Sequence, residues 1–142
     1  MWKVCLLGWW VLGFGSVLAD ESLPRSAAPV DAVVYLISPK AGEKIHGDVV
    51  VRFGLKGMGV APAGVNLAGT GHHHLLLDVA ALPDLNLPLP KDAQHLHFGA
   101  GQTETTLKLP AGKHTLQLIL GDQLHIPHQP PVVSEKVTIT VE

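Results

Sequence analysis

Seven of the nine histidines in this 142-residue chain fall in three short groups: His72, His73 and His74 in "GHHHLLLDV", His95 and His97 in "QHLHFG", and His125 and His128 in "LHIPHQ". Neutral imidazole is the commonest protein ligand for zinc and copper. A histidine set with no thiolate or thioether suits Cu(II) or Zn(II) better than Cu(I). Two histidines at i and i+2 of a strand point to the same face, so His72 with His74, or His95 with His97, can hold one ion from a single strand. A third ligand from the "HIPH" loop would complete a trigonal or open tetrahedral site. Pro127 stiffens that loop and lowers the entropy lost on binding. Glu104 is a candidate acceptor for an imidazole N–H. The expected ligands are therefore His72, His74, His95, His97, His125 and His128. Each group alone also has an ordinary reading, in which histidines at strand ends satisfy backbone groups; what points to a metal is their convergence.

The elements that would position them are strands. "VVYLIS" (33–38), "DVVVRFGL" (48–55), the triple-histidine segment (72–79), "QHLHF" (94–98), "QTETTLKL" (102–109), "KHTLQLILG" (113–121) and "VVSEKVTITV" (132–141) are β-rich runs separated by turn residues, and no segment after residue 19 has a helical period. About seven short strands in one domain, residues 33–142, predict an all-β fold, an immunoglobulin-like antiparallel β-sandwich. His114, just after the turn Pro110-Ala111-Gly112, stands where such domains carry an aromatic tied back to the preceding turn, which gives it a structural role. If successive strands alternate in direction, the starts and ends carrying His72 to His74, His97, His125 and His128 meet at one pole, with His95 slightly further up its strand. His46 and His114 fall at the other pole.

The first residues bear on location. Met1-Trp2-Lys3 and an apolar run from Val4 to Leu18, ending in Val17-Leu18-Ala19, read as a cleaved secretory signal over residues 1–19. The run is shorter than the roughly 20 residues of a spanning helix. A flexible leader, residues 20–32, would follow. The expected location is periplasmic or secreted, with no membrane attachment after cleavage. Cys5 leaves with the signal, so the exported domain is held by its core without disulfides. Loss of Lys3 takes the formal charge from −2 to −3, and no basic stripe marks a nucleic-acid partner. The expected partners are a metal ion and an exported protein yet to be identified.

"FGLKGMGVAPAG", "TGHHHLLLDV", "HLHFGAGQTETTLKLPAGKHTLQLILGD" and "HIPHQPPVVSEK" together resemble an uncharacterised family of small exported bacterial domains, catalogued as a domain of unknown function. The resemblance covers residue 33 to the C-terminus. It implies a secreted bacterial β-domain and no particular activity. Two narrower similarities supply rival classes. "QHLHFG" is similar to the zinc-binding strand of α-type carbonic anhydrases, whose fold needs a much longer chain. "HLH" with Glu104, Gly112 and "GDQLHIP" is similar to the two motifs of cupins, although His97 and Glu104 lie further apart than that pattern has them. The alternative fold is a small cupin-like β-barrel. The alternative functions are a metal-dependent enzyme, of zinc hydratase, hydrolase or cupin type, and an accessory or interaction module without metal. No Ser-His-Asp spacing, P-loop or dinucleotide fingerprint supports another catalytic class.

Overall fold

The computed structural model describes residues 22–142; the signal reading of residues 1–19 lies outside the described residues. Among the described residues nine strands follow one another: β1 (Val33–Ser38), β2 (Lys44–Ile45), β3 (Val49–Lys56), β4 (Gly59–Val60), β5 (Thr70–Leu77), β6 (His95–His97), β7 (Glu104–Leu107), β8 (Gly112–Gly121) and β9 (Val137–Val141). All seven expected strands form, and the two additional ones have two residues each, too short to leave a periodic signal. The last strand starts at Val137 rather than residue 132, because Ser134 instead bonds to β8 through its backbone and hydroxyl.

One sheet has the order β1-β3-β7 and the other β2-β9-β8-β5-β4, with β6 sharing the β4 edge of β5. The long ladders are antiparallel, whereas β2 with β9 and β4 with β5 make short parallel pairings. Closing a barrel needs an unbroken ring of strand pairing. Among the described residues no ladder joins the two sheets, so the fold is an immunoglobulin-like β-sandwich and the cupin-like alternative does not hold.

Period-2 alternation builds the core. Val34 and Leu36 of β1, Val49, Val51 and Phe53 of β3, Leu116, Leu118 and Leu120 of β8, and Ile139 and Val141 of β9 meet between the sheets. Strand β5 is different, being buried on both faces from Gly71 to Leu76. Its inner face gives Leu75 to the core and sets the His73 ring 5.1 Å from that of Phe53. On its outer face Leu76 joins Ile119 and Leu89 in a second apolar cluster, so the Pro-rich connection after β5 lies across the outside of the larger sheet. A strand covered on both sides normally reads as a continuous aliphatic run. Here imidazoles occupy three of those positions.

Two local ties fix the frame. The His114 ring faces Asp78 Oδ2 through Nδ1 and the Pro110 carbonyl through Nε2, both at 2.8 Å. Both partners accept, so the ring is held as an imidazolium. The Asp78 hydrogen bond outweighs the desolvation of the ring and, with help from the Pro110 carbonyl, raises the His114 pKa above its ordinary value. The stabilisation is therefore complete below the unfolded pKa of about 6.5 and is lost as pH rises through the raised folded value. Asp78→Asn is expected to cost about 1–3 kcal/mol in urea unfolding at pH 6 and less at pH 9, with metal affinity unchanged. An equal cost at both pH values would contradict the charged pair.

The second tie concerns the leader. Arg25 donates to the carbonyls of Pro127 and His128, Ser26 Oγ donates to Asp122 Oδ2 at 2.8 Å, and Ala28 N donates to Gln129 O at 3.0 Å. The leader's backbone groups find partners in the 122–129 loop, which the lack of periodicity in the sequence did not reveal.

Candidate metal centre

Strand register brings the first ligands together. His74 sits opposite His97 across the β5–β6 pair and opposite Ile119 across β5–β8, while His72 pairs with Gly121. Directly opposed residues share a face, so the His74 and His97 rings lie side by side, 5.0 Å between centroids. His125 arrives from the loop after β8. The buried Asp122 carboxylate shapes that loop, its Oδ1 accepting from the backbone N–H of Leu124 at 2.9 Å and of Ile126 at 3.0 Å. The Asp122 carbonyl accepts from His125 N at 2.9 Å, and His125 takes the left-handed φ of 65°. Such a conformation is uncommon for a residue with a side chain and tends to persist where its surroundings enforce it. Here it turns the imidazole onto the outer face of the larger sheet.

The result is a group of four imidazoles, His72, His74, His97 and His125, each offering one nitrogen within 4.8 Å of the others. His72 Nε2 lies 3.0 Å from His74 Nε2 and 3.1 Å from His125 Nδ1. A neutral imidazole nitrogen has either one hydrogen or one in-plane lone pair, so His72 Nε2 cannot serve both neighbours well. A cation among the nitrogens removes the conflict. Tetrahedral coordination at ordinary metal–nitrogen lengths sets ligand nitrogens about 3.3 Å apart, close to the spacing of the two short contacts. This cluster could hold a metal ion.

Protonation, the competing way to satisfy the rings, is disfavoured. Burial, followed by the neighbouring His125 and His97, lowers the His72 pKa to about 4 despite the opposing pull of Asp122. Burial and the other rings, His72 first, lower that of His74 to about 2. His97 is lowered by burial, then by His125 and Lys91. The neutral, ligating form is thus kept well below the ordinary histidine range.

Of the six expected ligands, the structure brings these four together and leaves two apart. His95 is on the same strand as His97 but turns its Nδ1 to Asp92 Oδ1 at 2.8 Å, in a turn whose carboxylate also accepts the backbone N–H of Gln94 and His95. His128 bonds through Nε2 to the Thr70 carbonyl at 3.0 Å and packs beside Gly71, a loop-fastening role. Glu104 is no second-layer acceptor, since it pairs with Arg52 at 3.1 Å on the exposed face of the other sheet. His46 lies beside Glu142, at the opposite end with His114.

Two glycines, Gly99 and Gly121, contribute in a way the sequence reading missed. A Cβ on Gly99 would fall inside contact distance of His97 Cε1 and Nε2, and one on Gly121 would stand 3.0 Å from His74 Nε2. Each leaves room for a ligand ring. Gly99→Ala is expected to displace the His97 ring and weaken metal binding about tenfold or more, with a thermal midpoint near wild type, because the clash is with the end of a mobile side chain. Isothermal titration beside a melt checks this; unchanged affinity would show that the ring has room elsewhere.

Comparison with known proteins adds a family but no activity. No curated protein matches the chain. A solved structure described as "Structures of Clostridium thermocellum CbhA fibronectin(III)-like modules" is similar at 14% identity and a TM-score of 0.37, covering 77% of this chain and 93% of that one. Residues 51–142, which carry all four clustered histidines, match the family described as "Domain of unknown function (DUF4399)". The chain belongs to that family.

Proposed function

We propose that the protein is an exported metal-binding domain that holds one Cu(II) or Zn(II) ion through His72, His74, His97 and His125, for storage, delivery or tolerance. The observation that carries this reading is the convergence of four imidazole nitrogens within 4.8 Å, two of them on a strand buried on both faces. Four neutral nitrogens without a thiolate suit both metals, and the ordinary order of affinities places Cu(II) ahead of Zn(II). Export rests on the short cationic start and the apolar run from Val4 to Leu18. The test is isothermal titration of the domain beginning at Asp20 with each metal. One ion per chain is expected, with Cu(II) the tighter. Equal, weak affinity in wild type and in a variant lacking His72, His74 and His97 would leave the histidines as loop-ordering residues.

A further inference from the structure

A cavity of about 200 Å³ opens against the histidine cluster, lined by His74, Leu89, Lys91, His97 and His125. His72 lies behind these rings, almost fully buried. An ion held by the four histidines would have protein on one side and this space on the other. The volume is many times the roughly 10–15 Å³ that one water requires.

The charges around the cavity are one-sided. All four ligands are neutral, so a divalent ion brings its full charge to the site. The buried Asp122 carboxylate spends its oxygens on Ser26 and on its own loop, accepting from Ser26 Oγ, Leu124 N and Ile126 N. No carboxylate lines the cavity. Its one charged lining residue is Lys91, which among the described residues makes no ion pair; the adjacent Asp92 is engaged by His95. Two cationic centres would thus face one small space, with the buried Leu89 side chain as an apolar wall. Opposed like charges are relieved by an anion between them.

We infer that the bound metal takes a small exogenous monoanion, of the size of azide, formate or bicarbonate, as a fifth ligand added to the four histidines on the side that faces the cavity, with the Lys91 ammonium as the counter-charge. This rests on the metal-centre reading above. Because Lys91 repels the ion but attracts the anion, its removal should move the two affinities in opposite directions.

The experiment loads the domain with Cu(II) and titrates azide, following the azide-to-copper charge-transfer band and the electron paramagnetic resonance spectrum. Wild type is expected to bind one azide per copper. Lys91→Met should bind Cu(II) as tightly as wild type or more tightly, while its azide affinity falls about tenfold; Lys91→Arg should keep azide affinity within about threefold. Lys91 is exposed, so neither variant should change the thermal midpoint of the metal-free protein. Copper binding without any azide response, or equal azide affinity in Lys91→Met, overturns the anion site and leaves the metal centre standing. Failure of copper to bind at all overturns both.

Discussion

Saturating Zn(II) is expected to raise the thermal midpoint of the domain by about 15 °C. A ligand present at a thousand times its dissociation constant stabilises the folded state by about 4 kcal/mol, and each kcal/mol moves the midpoint of a domain this size by several degrees. Much of the shift should vanish in His97→Ala and in His125→Ala, whose rings lie 4.8 Å apart between centroids. The two changes combined should cost less affinity than the sum of the single losses, because they remove ligands from one ion. His97→Ala with His128→Ala is the contrasting pair. His128 is occupied with the Thr70 carbonyl, so its loss should lower the midpoint of the metal-free protein and add nothing to the loss of affinity. Coupling between His97 and His128 in place of His97 and His125 would place the ion nearer the loop than the ring geometry does.

The contrast between those pairs marks how far the sequence could be read. Strand alternation was visible in "DVVVRF" and "KHTLQLIL", and counting strand directions sufficed to gather the histidines at one pole, because antiparallel pairing fixes which ends meet. Choosing among the gathered histidines needed information on local competitors. Asp92, three residues before His95, takes that ring in a turn, and the Thr70 carbonyl takes His128; both partners are ordinary polar groups with no mark in the sequence. The outer cover was also hidden. Leu85 and Leu89 stand in a segment whose prolines exclude a central strand, yet they pack on Leu76 and close over the outer face of the larger sheet. That cover places His72 and His74 out of water and lets their pKa fall. A sequence reading that leaves this face open assigns the histidines their ordinary value and expects metal release near pH 6.5. With the rings buried, proton competition should begin lower.

The same burial has a consequence for the metal-free protein. His72 and His73 are lowered to about 4, each chiefly by burial, and His74 further, while in the unfolded chain all three titrate near 6.5. The unfolded state therefore binds protons first as pH falls. Stability is at its full value above about 6.5 and declines below it; the decline from His72 and His73 levels off near 4, and that from His74 continues lower. Two such groups cost roughly 3 kcal/mol each over the window, on the scale of a whole domain's stability of about 5–15 kcal/mol. The metal-free domain is thus expected to unfold before pH 4, with the loss of circular dichroism as the readout. Bound metal should move that midpoint to lower pH, since a ligated nitrogen cannot take a proton until the ion leaves. His73 separates the two effects. It faces the inner core against Phe53, neither ring nitrogen has a hydrogen-bond partner of ordinary geometry, and burial is the chief cause of its lowered pKa. His73→Leu replaces an unsatisfied polar ring with an aliphatic side chain. It should make the metal-free domain about 2–3 kcal/mol more stable at pH 5 and shift acid unfolding downward, while leaving Zn(II) affinity unchanged. An acid midpoint that does not move in His73→Leu would mean that the inner imidazole reaches water before the domain unfolds.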